Sequence, residues 1–153
     1  MKILIAEDDL VSRRFLSKFL VQYGEVDLVL DGLEALDYYL IAIKEKVPYD
    51  LICLDTLMPK VDGAKVLKAI RDFESRQSVV SEQRVKVIMT TALAETDYVD
   101  QAFEIGSEAY ACAAKPIDTN KMLEVVKKLG LRVVRFESTG IGSGELSGAG
   151  RVW

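Results

Sequence analysis

Four apolar runs of this chain each hand a polar group to the residues that follow. Ile3-Leu4-Ile5-Ala6 leads into Glu7-Asp8-Asp9, and Leu51-Ile52-Cys53-Leu54 into Asp55. Val87-Ile88-Met89 leads into Thr90-Thr91-Ala92, and Ala111-Cys112-Ala113-Ala114 into Lys115-Pro116. Gathered in one place, three or four carboxylates repel one another unless positive charge sits among them. A hard divalent cation with oxygen ligands meets that need. Magnesium suits it best, with manganese its substitute, because it uses few carboxylates and keeps room for waters and phosphate oxygens. Lys115 supplies a second positive charge on a long stem, and Thr91 a neutral donor. Such a cluster can hold a tetrahedral dianion beside Asp55, and a carboxylate is a competent nucleophile for phosphoryl transfer, forming an aspartyl-phosphate. Catalysis would then rest on in-line positioning and charge neutralisation rather than on a protein acid or base. Each piece alone has a plainer explanation, a solvated acidic loop or an Asp capping a helix. The four in order, each at the end of an apolar run, point to a site.

Those groups converge only if the runs are neighbouring strands. The hydrophobic pattern alternates short apolar runs with longer helical periods. Strands are expected at Lys2–Ala6, Val26–Leu30, Asp50–Leu54, Val85–Thr90 and Glu108–Ala114. Helices are expected at Val11–Tyr23, Leu33–Lys44, from Asp62-Gly63 to about Glu74, at Glu95–Ile105, and over Asp118–Leu129 with Asp118 or Thr119 as cap. The polar stretch Ser75–Arg84 reads as a loop. Strict strand–helix alternation predicts an α/β fold, a doubly wound parallel sheet with helices on both faces. For five strands with right-handed crossovers the flavodoxin-like order 2-1-3-4-5 is expected, and ligands of such sheets collect at the carboxyl ends of the strands.

The bulk composition removes other chemistries. The 153 residues include no histidine, so Ser-His-Asp triads, Cys-His pairs and His-ligated zinc are excluded. Two cysteines, Cys53 and Cys112, cannot complete a four-cysteine metal site and read as buried small hydrophobes. A net charge of −4 argues against a general nucleic-acid surface. No apolar run is long enough for a bilayer and the start lacks a signal-peptide layout, so a cytoplasmic location is expected, without membrane contact. Residues 1–130 read as one domain. Residues 131–153 read as a Gly/Ser-rich tail with no output domain after it.

These stretches together resemble the receiver domain of response regulators in two-component signalling. The matching segments are Ile3–Asp9, Asp31-Gly32-Leu33-Glu34-Ala35-Leu36, Leu54–Pro59 with Asp62-Gly63, Val87–Ala92 and Ala114–Ile117. The resemblance spans about residues 1–130. It implies that Asp55 is the phosphoacceptor, with Thr91 and Lys115 as its catalytic partners. It implies a metal site of Glu7, Asp8, Asp55 and the backbone carbonyl of Leu57. It implies a switch in which Thr91 and an aromatic on the fifth strand move together, and a cis peptide before Pro116. The implied donor is a phosphohistidine on a sensor histidine kinase or a phosphotransfer protein, and the implied output is contact with a downstream protein, from a monomer or weak homodimer. The chain departs from the family pattern in three places. Glu7 stands where Asp is more usual. The slot three before the lysine is Cys112; Tyr110, two residues earlier on the same strand face, is the candidate for the switching aromatic, a plain packed tyrosine being the alternative. The tail has no counterpart.

Two further expectations follow. In this family the positions two after the phosphoacceptor and two after the threonine flank the path of attacking water. Here they are Leu57 and Leu93, which cannot orient water, so self-dephosphorylation is expected to be slow. The protein is expected to catalyse only its own phosphorylation and dephosphorylation. An aspartate-nucleophile phosphohydrolase would place its acid where Leu57 stands, a flavin binder would not put Glu7-Asp8-Asp9 in its phosphate loop, and a phosphorylation-independent scaffold would not need the intact acidic cluster and lysine.

Overall fold

A computed structural model describes residues 1–92 and 110–133, with the side chains of residues 110–112 and 114 outside that description. The elements run β1 (Lys2–Ala6), α1 (Leu10–Leu20), β2 (Glu25–Val29), α2 (Gly32–Lys44), β3 (Leu51–Asp55), α3 (Gly63–Arg76), a single 3-10 turn (Ser81–Gln83), β4 (Lys86–Thr91), β5 (Tyr110–Ala114) and α4 (Thr119–Lys128). All strand pairings are parallel and the sheet order is β2-β1-β3-β4-β5, as the alternation predicts. The expected helix over Glu95–Ile105, Leu93 and the tail from residue 134 lie outside the described residues. So does the start of the expected fifth strand, Glu108, and its described part begins at Tyr110.

Side-chain alternation divides the core into two layers. Leu4, Ala6, Ile52, Leu54, Val87 and Met89 pack beneath α2 and α3. Ile3, Ile5, Leu51, Cys53, Ile88 and Ala113 pack beneath α1 and α4. The central strands are buried on both sides, which is why β3 reads as an unbroken apolar run. Among the described residues every α-helix starts on an aspartate. Asp9, Asp31, Asp62 and Asp118 accept the backbone N–H of Ser12, Glu34, Lys65 and Lys121 at 2.8–2.9 Å. Each cap satisfies a donor that the first helical turn leaves open and faces the positive end of the helix dipole.

Some boundaries differ from the pattern. The first helix stops at Leu20 rather than Tyr23. Tyr23 is buried and stacks near Phe19 although its backbone has already left the helix, so its apolar ring looked like one more helical position. The loop expected over Ser75–Arg84 contains the last residues of α3 and the 3-10 turn. Among the described residues no helix is long and apolar enough to cross a membrane.

Candidate functional site

The two strands at the centre of the sheet place the acids. Ile3, Ile5 and Glu7 alternate onto the α1 side of β1, and Leu51, Cys53 and Asp55 onto the same side of β3. Glu7 is fully buried and Asp55 is 3% exposed. Asp8 follows at the mouth and is exposed. Carboxylate oxygens of Glu7, Asp8 and Asp55 lie within 4.8 Å of one another, a group able to hold a metal ion.

Lys115 enters from the end of β5. Its Nζ donates to Asp55 Oδ1 at 3.0 Å and to Glu7 Oε2 at 3.3 Å, and lies 3.1 Å from Glu7 Oε1. That last contact is off the line of a hydrogen bond, so Glu7 Oε1 is a buried acceptor that takes none. The lysine is aimed by its backbone. Lys115 N–H donates to the Thr91 carbonyl at 2.6 Å, and the Lys115–Pro116 peptide is cis. With all three acids ionised, the cluster keeps two negative charges after Lys115 is counted. A divalent cation matches that surplus, and the orphaned Glu7 oxygen gives it a donor of the right hard type.

Burial is the main reason the Asp55 carboxyl is pushed up to about 7, with the nearby Glu7 adding to it and Lys115 opposing it. Burial and Asp55 also raise Asp8. Lys115 is raised by Asp55 and Glu7, against a burial effect that would lower it.

The backbone around Asp55 is tied at several points. Thr56 N–H and Oγ1 both donate to the Thr90 carbonyl, at 2.9 and 2.8 Å. Gly63 N–H donates to the Thr56 carbonyl at 2.8 Å. A Cβ on Gly63 would stand 2.2 Å from the Asp55 carbonyl oxygen, so only glycine lets α3 start so close to Asp55. On the β1 side Arg13 Nη1 donates to the carbonyls of Glu7 at 3.1 Å and Asp8 at 3.3 Å. Nothing in the residue pattern singled out Arg13. Its place one turn after the Asp9 cap is the one local sign that it could reach back.

Thr91 is buried at the end of β4, and its Oγ1 donates to the Ala92 carbonyl at 3.0 Å. Leu57 lies in the loop after β3 with its side chain about half exposed. The register of β5 bears on Tyr110. Ala114 is paired with Thr91 and Cys112 with Met89, whereas Tyr110 is paired with Val87. At about 3.3 Å per residue, Tyr110 begins some 13 Å down the strand from the level of Thr91. The Tyr110 side chain lies outside the described residues. Cys53 is fully enclosed and burial raises its thiol, which makes it an inert packing group.

Comparison with known proteins agrees with this geometry. The family model of the response regulator receiver domain matches residues 3–127. "Probable histidine kinase 2" of Oryza sativa subsp. indica is 32% identical over 136 residues, covering 82% of this chain and 12% of the relative. The chain therefore spans about one-eighth of that relative's length. "Sporulation initiation phosphotransferase F" of Bacillus subtilis is 32% identical over 128 residues, covering 83% of this chain and 91% of the relative. Among solved structures, the co-crystal of the Saccharomyces cerevisiae histidine phosphotransfer signaling protein Ypd1 with the receiver domain of the response regulator Ssk1 shares the fold, with TM-score 0.66 and 24% identity over 85% of this chain and 88% of that one. By the extent of the family match and of these likenesses, the chain belongs to the response regulator receiver domain family.

Proposed function

We propose that the protein is a phosphorylation-driven switch whose Asp55 accepts a phosphoryl group from a phosphohistidine on a histidine kinase or phosphotransfer protein. An Asp55 oxygen attacks phosphorus, the P–N bond to the donor imidazole breaks, and the bonding pair leaves with the imidazole nitrogen. The product is an aspartyl-phosphate. With no histidine in the chain, the donor comes from another protein or domain. The names of the relatives, a histidine kinase and a phosphotransferase, support that donor class.

The observation that carries this reading is the Lys115 ammonium 3.0 Å from Asp55, inside a cluster of three carboxylates. Lys115 orients Asp55 and is placed to follow charge onto a phosphoryl oxygen. Glu7, Asp8 and Asp55, with the Leu57 carbonyl, are the groups that would hold magnesium, and when bound it neutralises charge on the transferring group. Thr91 stands one residue past the Asp55–Thr90 pair on the neighbouring strand, where its hydroxyl can turn toward an added phosphate. The new dianion would shift an existing equilibrium by its different interactions with the two states, and so alter a protein-binding surface. Turnover of an outside substrate is not part of this reading, because Leu57 leaves no proton donor where a hydrolase needs one.

The test is direct. Acetyl phosphate with magnesium should add one phosphoryl mass to the intact protein, a chelator should prevent it, and Asp55→Asn should abolish it. Labelling that persists in Asp55→Asn would remove the assignment.

A further inference from the structure

The loop between β3 and α3 carries Leu57, and it is held from outside by the amino end of α2. Pro59 O accepts Val61 N–H at 2.8 Å and Gly32 N–H at 3.4 Å. Lys60 Nζ lies 3.4 Å from Asp31 Oδ2. Asp31 Oδ1 meanwhile accepts Glu34 N–H at 2.8 Å, so one nearly buried carboxylate caps α2 and grips the loop with its two oxygens. Gly32 fits under the loop so closely that a Cβ there would meet Val61 O at 1.8 Å. Lys60 is held at φ +69°, a left-handed conformation that costs a residue with a side chain energy and persists only where the surroundings enforce it. The two ends of the same loop are joined by the Gly63–Thr56 hydrogen bond. Residues 56–62 are therefore held twice, at their ends by the first residue of α3 and at Pro59–Val61 by the amino end of α2.

We propose that Asp31 and Gly32 are positioning residues for the metal-binding half of the site. They brace the loop from the amino end of α2, and so fix the backbone around Leu57 on which a bound cation draws. This rests on the reading of Glu7, Asp8, Asp55 and Leu57 as the metal-holding set. Neither residue touches the reacting atoms. A divalent cation needs its ligands placed within narrow limits, and a loop free to shift by an ångström loses that placement.

The experiment measures Mn2+ affinity by electron paramagnetic resonance on the full chain, together with the rate of acetyl phosphate labelling and the thermal midpoint. Asp31→Asn keeps a good helix cap and removes only the grip on Lys60. It should leave the midpoint near wild type and weaken Mn2+ binding by about two- to fivefold, the scale of one partly exposed ion pair. Gly32→Ala forces the loop outward and should slow labelling by about tenfold or more. If Asp31→Asn binds Mn2+ as the wild type does, and a folded Gly32→Ala labels at the wild-type rate, the brace is overturned. If Gly32→Ala does not fold, the Asp31→Asn affinity decides alone. A wild type that binds Mn2+ but takes no phosphoryl group would instead remove the proposed function, leaving the affinity comparison intact.

Discussion

Lys115 Nζ stands 3.0 Å from Asp55 Oδ1 although 60 residues separate them in the chain. The same ammonium touches Glu7, which is wholly buried. Two buried carboxylates thus share one cation. Lys115→Met removes it and leaves them facing each other in a low-dielectric site. Breaking such a pair from one side should cost about 3 kcal/mol of stability at pH 8, toward the lower end for buried pairs because Lys115 is partly exposed. At pH 5, where Asp55 carries a proton, the loss should shrink. Urea denaturation at the two pH values measures the difference, and an equal loss at both would mean the lysine acts through packing alone.

Stability of the metal-free protein should fall as pH rises from about 4 to 7. Asp55 ordinarily titrates near 3.8 and is raised to about 7 in the fold. Between those values the folded protein holds a proton that the unfolded chain has released, so raising the pH favours unfolding. The contribution is fully present below the unfolded value and is lost as pH passes through the folded one. Three units set an upper bound of about 4 kcal/mol. Asp9 and Asp31, both lowered by backbone N–H donors, work in the opposite sense at the acid end, so above about pH 5 the slope comes from Asp55 together with Asp8, which burial raises in the same sense. Saturating magnesium or Asp55→Asn should flatten the slope. Metal affinity should climb with pH up to about 7 and then level off, because protons and the cation compete for one carboxylate.

Far from the site, Arg71 and Glu74 form a buried ion pair on α3 at 2.6 Å, each 3% exposed. Glu74 Oε2 also accepts Val85 N–H just before β4, at 2.8 Å. Glu74→Ala strands a guanidinium whose Nε and Nη2 already lack partners and should cost about 3–5 kcal/mol. The double variant Arg71→Met, Glu74→Met removes both charges and leaves the Val85 N–H unpaired, a smaller loss of about 1–3 kcal/mol. Denaturant midpoints compare the two. Acetyl phosphate labelling of any folded variant should stay at the wild-type level, because Val85 lies at the end of the sheet opposite the acids.

The parts of this molecule that could be read from sequence are those whose physics is local. An apolar run ending in Asp55 or Lys115 announces a buried strand and what it delivers, and parallel alternation then brings strand ends together. Glu7, Asp8, Asp55 and Lys115 were legible for that reason. What the pattern could not carry depends on how surfaces meet. Gly32 read as the residue before a helix and proves to be its first residue, lying under the Val61 carbonyl. Asp31 looked like part of a motif and proves to cap α2 while gripping Lys60. Arg71 and Glu74 stand three apart on a helix, a spacing whose pairs usually sit at the surface, so their burial is set by the packing around them and not by the local pattern. Tyr110 and Cys112 were correctly placed in one strand, but which of them is level with Thr91 is a matter of register, and neither is. Ala114 holds that place.

The lifetime of the phosphorylated form should depend on Leu57. Its side chain is about half exposed in the loop after Asp55, so it is not part of the packed core. Attack by water on an aspartyl-phosphate needs a molecule held in line with the breaking bond. A hydrogen-bonding side chain at this position can hold one, whereas a leucine occupies the space without offering a partner. Leu57→Asn should therefore shorten the lifetime by about threefold or more, the effect of one added hydrogen bond to a neutral group. The substitution replaces an exposed apolar side chain, so stability should change little, within about 0.5 kcal/mol. Decay is followed by intact mass after removal of acetyl phosphate, with magnesium kept constant. A Leu57→Asn protein that decays no faster than the wild type would mean that water reaches Asp55 by another route, and that the leucine has no part in protecting the phosphoryl group.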